Sequence, residues 1–205
     1  MSRYLRIRLS ALAVLGLLVG LTPATASAQQ GEAAVRSDPT GFHLGAYLNG
    51  SALSVEDDDE TESGAGLSLA LGYGFNRTVA LYLKATGANV EYADFDDTYQ
   101  LGHFDLGARF NLGGPQRSVL GFLTGGITGR AAVLDLGEEL TLSGVGPTLG
   151  GGVSVFLNPS LALEAGLVWT LGDFTEAEAG GFTEEIELGA TSARFDLGVS
   201  WWAGR

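Results

Sequence analysis

Seven charged side chains fall on one face of the strands that the sequence predicts, and together they could form a buried ion-pair network. They are four cations and three anions: Lys84, Asp105, Arg109, Arg130, Glu164, Arg194 and Asp196. A lone charge in a confined, poorly hydrated space is costly, and pairing with an opposite charge lowers that cost most simply. We therefore predict a packed polar interior, with a narrow path for ions or protons as the alternative.

Nucleophilic hydrolysis would need a serine, a histidine base and a carboxylate in contact. The chain has only two histidines, His43 and His103. Both fall on the same face as the charged residues and so are turned away from a lipid substrate. His103 lies two residues from Asp105, but neither histidine has a serine two positions away. The sequence therefore predicts no catalytic residues.

Two further patterns resemble metal or nucleotide motifs but lack their spacing. An EF-hand needs acids at alternate positions, a central glycine and a closing Glu, and the acidic run at residues 56–60 lacks that spacing. The segment Gly72-Tyr73-Gly74 lacks the third glycine of a dinucleotide fingerprint and lies inside a strand pattern. We predict no dedicated metal site and no cofactor.

The charged residues and the histidines lie in segments where large apolar residues alternate with small or polar ones. This alternation is clearest at residues 66–75, 161–170 and 192–201. Because successive side chains of a strand point to opposite faces, each segment has one apolar face and one small or polar face. In the fifth segment Phe122 and Arg130 share a face, so we expect both to point inward unless a bulge changes the register.

The chain divides into eight such strands. Their predicted bounds are 42–55, 65–76, 78–91, 99–112, 118–133, 144–157, 161–173 and 190–203. The connections alternate between short turns at 76–77, 113–117 and 158–160, and longer acidic loops at 56–63, 92–98, 134–140 and 174–189. This segregation predicts an antiparallel up-and-down meander with all the long loops at one end.

The nature of the two faces favours a membrane over water. In a soluble barrel the polar face meets water and carries many Lys and Glu, whereas here it is mostly Gly, Ala, Ser and Thr. The apolar face is essentially free of charge, as expected where a midplane Lys or Arg costs about 2 to 4 kcal/mol. Aromatic residues are predicted to form girdles at the two membrane interfaces. These are Phe42, Tyr73, Phe75, Phe110, Trp169 and Trp201.

The N-terminus has the features of a cleaved export signal. Three arginines precede an apolar run at residues 11–21, which ends before Ala26-Ser27-Ala28, a sequence that signal peptidase accepts. The run is about half the length of about 20 residues that a membrane-spanning helix needs, so an uncleaved anchor is the weaker alternative. We predict a signal peptide at 1–28, a short periplasmic segment at 29–41 and a barrel domain at 42–205.

Composition restricts the partners. The 205 residues carry a net charge of −13, which argues against nucleic acid because phosphate binding needs clustered Lys and Arg. There is no cysteine, so an exported chain gains no disulfide and depends on strand pairing and packing.

Taken together, the cleavage pattern, the eight alternating segments, the three tight turns and the final strand Arg194–Trp202 resemble the small outer-membrane β-barrel family of Gram-negative bacteria, the eight-stranded OmpA/OmpX-like type. The resemblance implies an all-β, eight-stranded antiparallel transmembrane barrel in the outer membrane. It also implies contact with lipid and lipopolysaccharide, and recognition of Gly198 and Trp201 by the barrel-assembly machinery.

The function expected from this resemblance is non-enzymatic, contributing to envelope integrity or surface interaction through four acidic external loops. Divalent cations could bridge those loops to lipopolysaccharide phosphates. The alternatives are a narrow porin-like channel for ions or small solutes and a lipid-modifying outer-membrane enzyme. Eight strands enclose an interior that side chains can just fill. A general diffusion pore is therefore disfavoured as a function.

Overall fold

The computed structural model describes residues 35–56, 60–92, 97–114, 117–135 and 139–204. The predicted signal peptide at 1–28 and the first part of the predicted periplasmic segment lie outside these ranges. In the described ranges every regular element is a β-strand. No helix there is long and apolar enough to cross a membrane.

The described ranges contain nine strands, and all the pairings between them are antiparallel. They are β1 (Gly41–Val55), β2 (Thr61–Gly74), β3 (Val79–Glu91), β4 (Thr98–Leu112), β5 (Val119–Asp135), β6 (Glu139–Phe156), β7 (Leu161–Thr170), β8 (Asp173–Ala179) and β9 (Phe182–Trp202). The order of pairing is β1-β2-β3-β4-β5-β6-β7-β9, and β1 also pairs with β9. The all-β, antiparallel, up-and-down prediction is confirmed.

The prediction of eight strands needs a correction at the C-terminal end. Residues 174–189 were expected to form a long loop, but they are mostly strand, because β8 and the first part of β9 pair with each other. Only Gly180 and Gly181 connect these strands, with φ of 57° and 80°. Such left-handed values suit glycine and match a two-residue hairpin turn whose twist fits the strands.

β7 and β8 follow each other end to end between the same two neighbouring strands. Both pair with β6 on one side and β9 on the other. The break between them at Leu171 and Gly172 lies beside Pro147 of β6. The pairing of β6 with β7 ends one residue away, at Thr148 and Thr170. Proline has no N–H for the ladder, so regular pairing is interrupted there.

Alternation of burial follows the alternation in the sequence. In β1, buried and exposed residues alternate strictly from Gly41 to Asn49. Large apolar side chains on the outward face are strongly exposed, for example Leu67 at 64% and Val145 at 67%. In the described strands, the outward positions between the two rims carry no charge. This surface would be unfavourable in water and matches a hydrocarbon environment.

Because β1 also pairs with β9, the strands form a ring, and the two ends of this ring differ. We call the end with the connections at 75–78, 113–118 and 157–160 the turn end, and the end with the β8–β9 hairpin the hairpin end. β5, β6 and β9 extend further at the hairpin end than the sequence predicted, and β8 is an additional strand there. At the turn end, Asn76 and Asn158 each accept backbone N–H groups through the side-chain oxygen, which closes tight turns.

Apolar clusters fill the interior at both ends. The hairpin-end cluster has its buried members on β1, β3, β4, β5, β8 and β9: Leu53, Ala88, Val90, Tyr99, Leu101, Ala132, Phe174 and Ala190. The turn-end cluster consists of Ala80, Leu120, Phe156, Ala162 and Trp202, with Val35 packed against it. The charged residues lie between these two clusters.

The segment that precedes β1 lies against the turn end. The Asp38 N–H donates to the Pro159 carbonyl at 3.1 Å, and the Gly204 N–H donates to the Thr40 carbonyl at 3.0 Å. Arg77 donates to the backbone carbonyl and the hydroxyl of Ser37. Residues 35–40 are thereby joined to the first turn, the third turn and the C-terminal segment.

Candidate functional site in the interior

Arg109 and Glu164 form a two-pronged ion pair across the interior. Arg109 Nη1 donates to Glu164 Oε2 at 3.0 Å, and Nη2 donates to Oε1 at 2.8 Å. Ser154 and Tyr47 donate hydroxyl hydrogens to the same carboxylate at 2.8 and 2.9 Å. Both charges are buried. The carboxylate therefore has four donated hydrogen bonds to offset its loss of water.

Arg194 and Asp105 form a second two-pronged pair. Both contacts between the guanidinium and the carboxylate are 2.8 Å. Thr128 donates to Asp105 Oδ1 at 2.6 Å, and Arg194 Nη2 donates to the Thr170 hydroxyl at 3.2 Å. These two side chains are the most deeply buried ion pair among the described residues, with 0% and 1% exposure.

Lys84 pairs with Asp196 in the third contact. Asp196 Oδ1 also accepts hydrogen bonds from Ser68 at 2.9 Å and from the Asn49 amide at 3.1 Å. The Lys84 ammonium lies 5.4 Å from the centre of the Tyr47 ring, which gives it a cation–π contact. Since Tyr47 also donates to Glu164, it links this pair to the first one.

Arg130, the fourth cation, is bound differently. Its Nη1 donates to the Ala190 carbonyl at 3.0 Å, and its Nη2 donates to the carbonyl of Gly172. The guanidinium also lies 4.6 Å from the centre of the Phe174 ring. No carboxylate lies within ion-pair distance of it in the described part of the chain. Arg130 thus binds the backbone at the β7–β8 break instead of joining the network.

The structure places all seven predicted charged residues inside the ring, and it brings six of them together as three ion pairs. Phe122 also points inward, and its ring centre lies 3.9 Å from the Arg109 guanidinium carbon. The sequence placed these residues by alternation alone. It did not indicate which cation would meet which anion, because the partners lie 55 to 112 residues apart.

Both histidines are buried in the interior. His43 stacks on Trp202, with ring centres 4.2 Å apart. His103 Nε2 lies 3.0 Å from the Ser192 hydroxyl, a contact that sequence spacing did not reveal. His103 Nδ1, however, has no hydrogen-bond partner among the described residues. A nucleophilic triad needs a carboxylate at that atom to orient the imidazole, so this pair lacks its third member.

A small cavity lies among the charged residues of the interior. Its volume is about 60 Å³, and it is lined in part by His43, Tyr82, Lys84 and Glu164. It has room for only a few water molecules. The hairpin-end cluster and the turn-end cluster lie on either side of it. In the described ranges no group of three or more His, Asp or Glu side chains is arranged to hold a metal ion.

The predicted aromatic residues lie on the outward face near the two rims. Phe42, Tyr73 and Phe75 form a row of edge-to-face contacts at the turn end, with ring centres 5.3 and 5.4 Å apart. Phe110 and Trp201 are exposed at the same end. Trp169 is exposed near the hairpin end, one residue before β7 finishes. Exposed aromatic rings thus lie on the outward face near each rim.

Sequence reasoning missed the two apolar clusters. The sequence predicts an inward face of mostly Gly, Ala, Ser and Thr, yet Leu53, Val90 and Leu101 lie on it near the hairpin end. The sequence did contain a signal for the hairpin-end cluster. The alternation of each strand places these three residues on the inward face, and all three have large apolar side chains. Such residues pack against one another inside the ring, since they cannot reach the lipid.

Comparison with known proteins identifies the type of fold. A family model for the outer membrane protein β-barrel domain matches residues 14–201. Neisserial surface protein A is similar in structure, with a TM-score of 0.63 and 18% identity over 79% of this chain and 97% of that one. No curated protein matches the chain in sequence.

Two further solved structures show the same fold. OprG from Pseudomonas aeruginosa has a TM-score of 0.53 and 12% identity, and the match covers 82% of this chain and 98% of that one. Ail, the attachment invasion locus protein of Yersinia pestis, has a TM-score of 0.52 and 12% identity, with 79% and 99% covered. At these identities the likeness concerns the fold alone.

Proposed function

Since the chain belongs to the outer membrane β-barrel family, as its match over residues 14–201 shows, we propose that it is a non-enzymatic barrel of eight strand positions, sealed inside, that presents an acidic surface outside the cell. Its location is the bacterial outer membrane, as the sequence predicted. The proposal assigns the turn end to the periplasm and the hairpin end to the exterior, as in barrels with short periplasmic turns.

The observation that carries the proposal is the three-layer interior. Three ion pairs fill the middle, and an apolar cluster closes each end. A conducting path would have to cross both clusters, where the lining is largely apolar and an ion would lose much of its water. The interior therefore serves stability, and the function depends on the outer surface.

Charge separates between the two ends in a way that supports this orientation. The exposed hairpin-end acids include Glu91, Asp97 and Glu139. In the described ranges no exposed Lys or Arg lies at the hairpin end, whereas Arg36, Arg77 and Arg117 lie at the turn end. An acidic exterior favours surface interaction with cations or basic groups. The name of Ail, an attachment invasion locus protein, is compatible with such a role for the fold.

Orientation can be tested because the chain has no cysteine of its own. Glu178→Cys at the hairpin end should react with a membrane-impermeant maleimide in intact cells. The matched variant Arg117→Cys, exposed at the turn end, should react only after the outer membrane is opened. Equal labelling of both, or the reverse order, would contradict the proposed orientation.

Sealing can be tested by electrical recording. Purified protein in planar lipid bilayers should show no discrete conductance. Regular single-channel steps that change when Lys84 or Glu164 is substituted would instead support the channel alternative. An enzyme would reveal itself by altering purified lipid A or phospholipid, and Ser192→Ala should abolish that activity if the His103–Ser192 contact were catalytic.

We also propose that divalent cations connect the acidic hairpin end to lipopolysaccharide phosphates. Carboxylates are the ligands that Ca²⁺ and Mg²⁺ prefer, and two like-charged surfaces need cations between them. The thermal unfolding temperature in lipopolysaccharide-containing vesicles should then rise with added Mg²⁺. Replacing Glu91 and Asp97 by Gln and Asn should reduce that rise, and an unchanged rise would count against the bridge.

A further inference from the structure

The six residues before β1 form a buried segment at the turn end of the ring. Ser37 and Pro39 are fully buried and Thr40 is nearly so, although residues 35–40 belong to no strand. Val35 packs against the turn-end cluster. An irregular segment can be buried only where its backbone polar groups find partners, so the partners of this segment show what it holds together. We call residues 35–40 the clasp.

The clasp is bound to the first turn and to the end of β2. The Arg77 guanidinium donates to the carbonyl and the hydroxyl of Ser37, and its Nη1 lies 3.9 Å from Asp38 Oδ1. A Cβ on Gly74, the last residue of β2, would lie 2.5 Å from the Pro39 carbonyl oxygen. The clasp therefore packs so closely against β2 that a side chain at this position would displace it.

The clasp also joins the two strands that close the ring. The Gly204 N–H, which follows β9, donates to the carbonyl of Thr40, which precedes β1, at 3.0 Å. This bond continues the β1–β9 pairing, which we call the seam, beyond its last regular pair. The Asp38 N–H donates to the Pro159 carbonyl in the third turn at 3.1 Å. The clasp thus has partners at positions 77, 159 and 204 of the sequence.

Ring closure is what brings these partners together. In an open sheet β1 and β9 would lie on opposite sides, and the segment after β9 would be far from residues 35–40. The third turn precedes β7, which pairs with β9, so this turn too would be far from β1. The complete set of clasp contacts can therefore form only after β1 has paired with β9.

We propose that the clasp holds the barrel closed: its contacts form after β1 and β9 have paired, and they must break before the seam can open. Interactions that form after the transition state of folding leave the folding rate nearly unchanged and slow unfolding. The clasp therefore gives the closed barrel a longer lifetime without slowing its assembly. The proposal depends on the closed ring alone, and not on which end faces the exterior or on what the acidic surface binds.

The test measures folding and unfolding rates of the full mature protein in lipid vesicles, read by gel mobility, which differs between the folded and unfolded forms. Gly74→Ala places a methyl group against the Pro39 carbonyl and so displaces the clasp. Its matched control is Gly114→Ala at the second turn, where a Cβ would meet nothing within 4 Å.

A second pair of variants tests the same contacts without adding an atom to the backbone. Arg77→Gln removes the guanidinium that binds Ser37 and faces Asp38. Arg117→Gln is its matched control, because Arg117 is exposed at the second turn. If Gly74→Ala does not fold, this second pair decides the test.

We expect unfolding to be at least about fivefold faster in Gly74→Ala and in Arg77→Gln, while folding stays within about twofold of the parent rate. Both controls should keep both rates within about twofold. Amide hydrogen exchange should become faster at residues 42–48 of β1 and 196–202 of β9, which form the seam, than in the pairing of β3 with β4.

Three results would overturn the proposal. The first is unfolding of Gly74→Ala and Arg77→Gln at the rates of their controls. The second is slower folding without faster unfolding, because the clasp would then act during closure and not after it. The third is faster exchange spread evenly over all strands, which would be a general loss of stability with no particular effect at the seam. Conductance and cysteine labelling, which test the proposed function, play no part in these outcomes, so the two failures are distinguishable.

Discussion

Arg130 donates a hydrogen bond to the backbone carbonyl of Gly172, inside the two-residue break between β7 and β8. The same carbonyl accepts a hydrogen bond from the Ala190 N–H at 3.0 Å. The Ala190 carbonyl in turn accepts a hydrogen bond from Arg130. Gly172 has a φ of +123°, which a residue with a side chain rarely adopts. One guanidinium therefore connects β5 to the break before β8 and to Ala190 of β9, at the base of the β8–β9 hairpin.

Replacing Arg130 should loosen the hairpin without unfolding the ring. In Arg130→Ala the Ala190 carbonyl loses its side-chain donor, and Phe174 loses the cation above its ring. We expect amide hydrogens of β8 and of residues 182–189 to exchange about tenfold faster, while those of β2 and β3 keep their rates. Arg117→Ala, at an exposed turn, serves as the control. Unchanged exchange in the hairpin would show that Arg130 does not hold it.

Breaking the Arg109–Glu164 pair should be among the most destabilising single changes in the chain. Glu164→Gln leaves the Arg109 charge buried without its partner, which costs about 3 to 5 kcal/mol. The double variant Arg109→Met with Glu164→Gln should recover part of this loss, since no charge then remains unpaired. Denaturant unfolding in lipid vesicles measures both. The control Glu178→Gln, on an exposed residue, should change stability by less than about 0.5 kcal/mol.

A loss in the double variant equal to the sum of the two single losses would contradict this account. Such additivity would mean that the two side chains stabilise the interior independently of each other.

Two neighbouring glycines should respond oppositely to the same methyl group. A Cβ on Gly66, which faces inward, would lie 1.9 Å from the Gly87 carbonyl oxygen, so the backbone would have to move. A Cβ on Gly87, which faces outward, would meet nothing within 4 Å. Gly66→Ala should cost about 1 to 3 kcal/mol of unfolding free energy, and Gly87→Ala should be near neutral. Equal effects would mean that the β2–β3 distance adjusts freely.

Tyr99 should make stability fall at high pH. It lies at the hairpin end, beyond the apolar outward band, and donates a hydrogen bond to Glu62 at 2.7 Å. Burial, with this bond and the charge of Glu62, raises the pKa of Tyr99 well above its ordinary value. Above about pH 10 the unfolded chain releases this proton while the folded one keeps it, so stability decreases by up to about 1.4 kcal/mol per pH unit.

The variant Tyr99→Phe should lack this component. Unfolding free energies at about pH 8 and about pH 11 would be compared between the two proteins, and the decrease should be smaller in the variant. The same decrease in both would show that Tyr99 does not contribute.

The hairpin illustrates why part of the fold escaped prediction. Residues 174–189 are rich in Glu, which is depleted in strands, and this favoured a loop. The glycine pair at 180–181, between segments with Ile186 and Leu188 on one side and Phe174 on the other, was an available hairpin signal. What holds these glutamates in strands is pairing with β6 and the packing of Phe174 into the interior, which are contacts distant in sequence.

The alternation of side chains by itself determined the all-β class, the inward set of seven charges and the outward apolar band, because strand periodicity assigns each residue to a face whatever its neighbours are. Only the tertiary structure decided that Arg109 meets Glu164, that Arg194 meets Asp105 and that Arg130 binds the backbone instead. Those choices depend on the register between strands and on which positions face each other across the ring, and neither is encoded in the spacing along one strand.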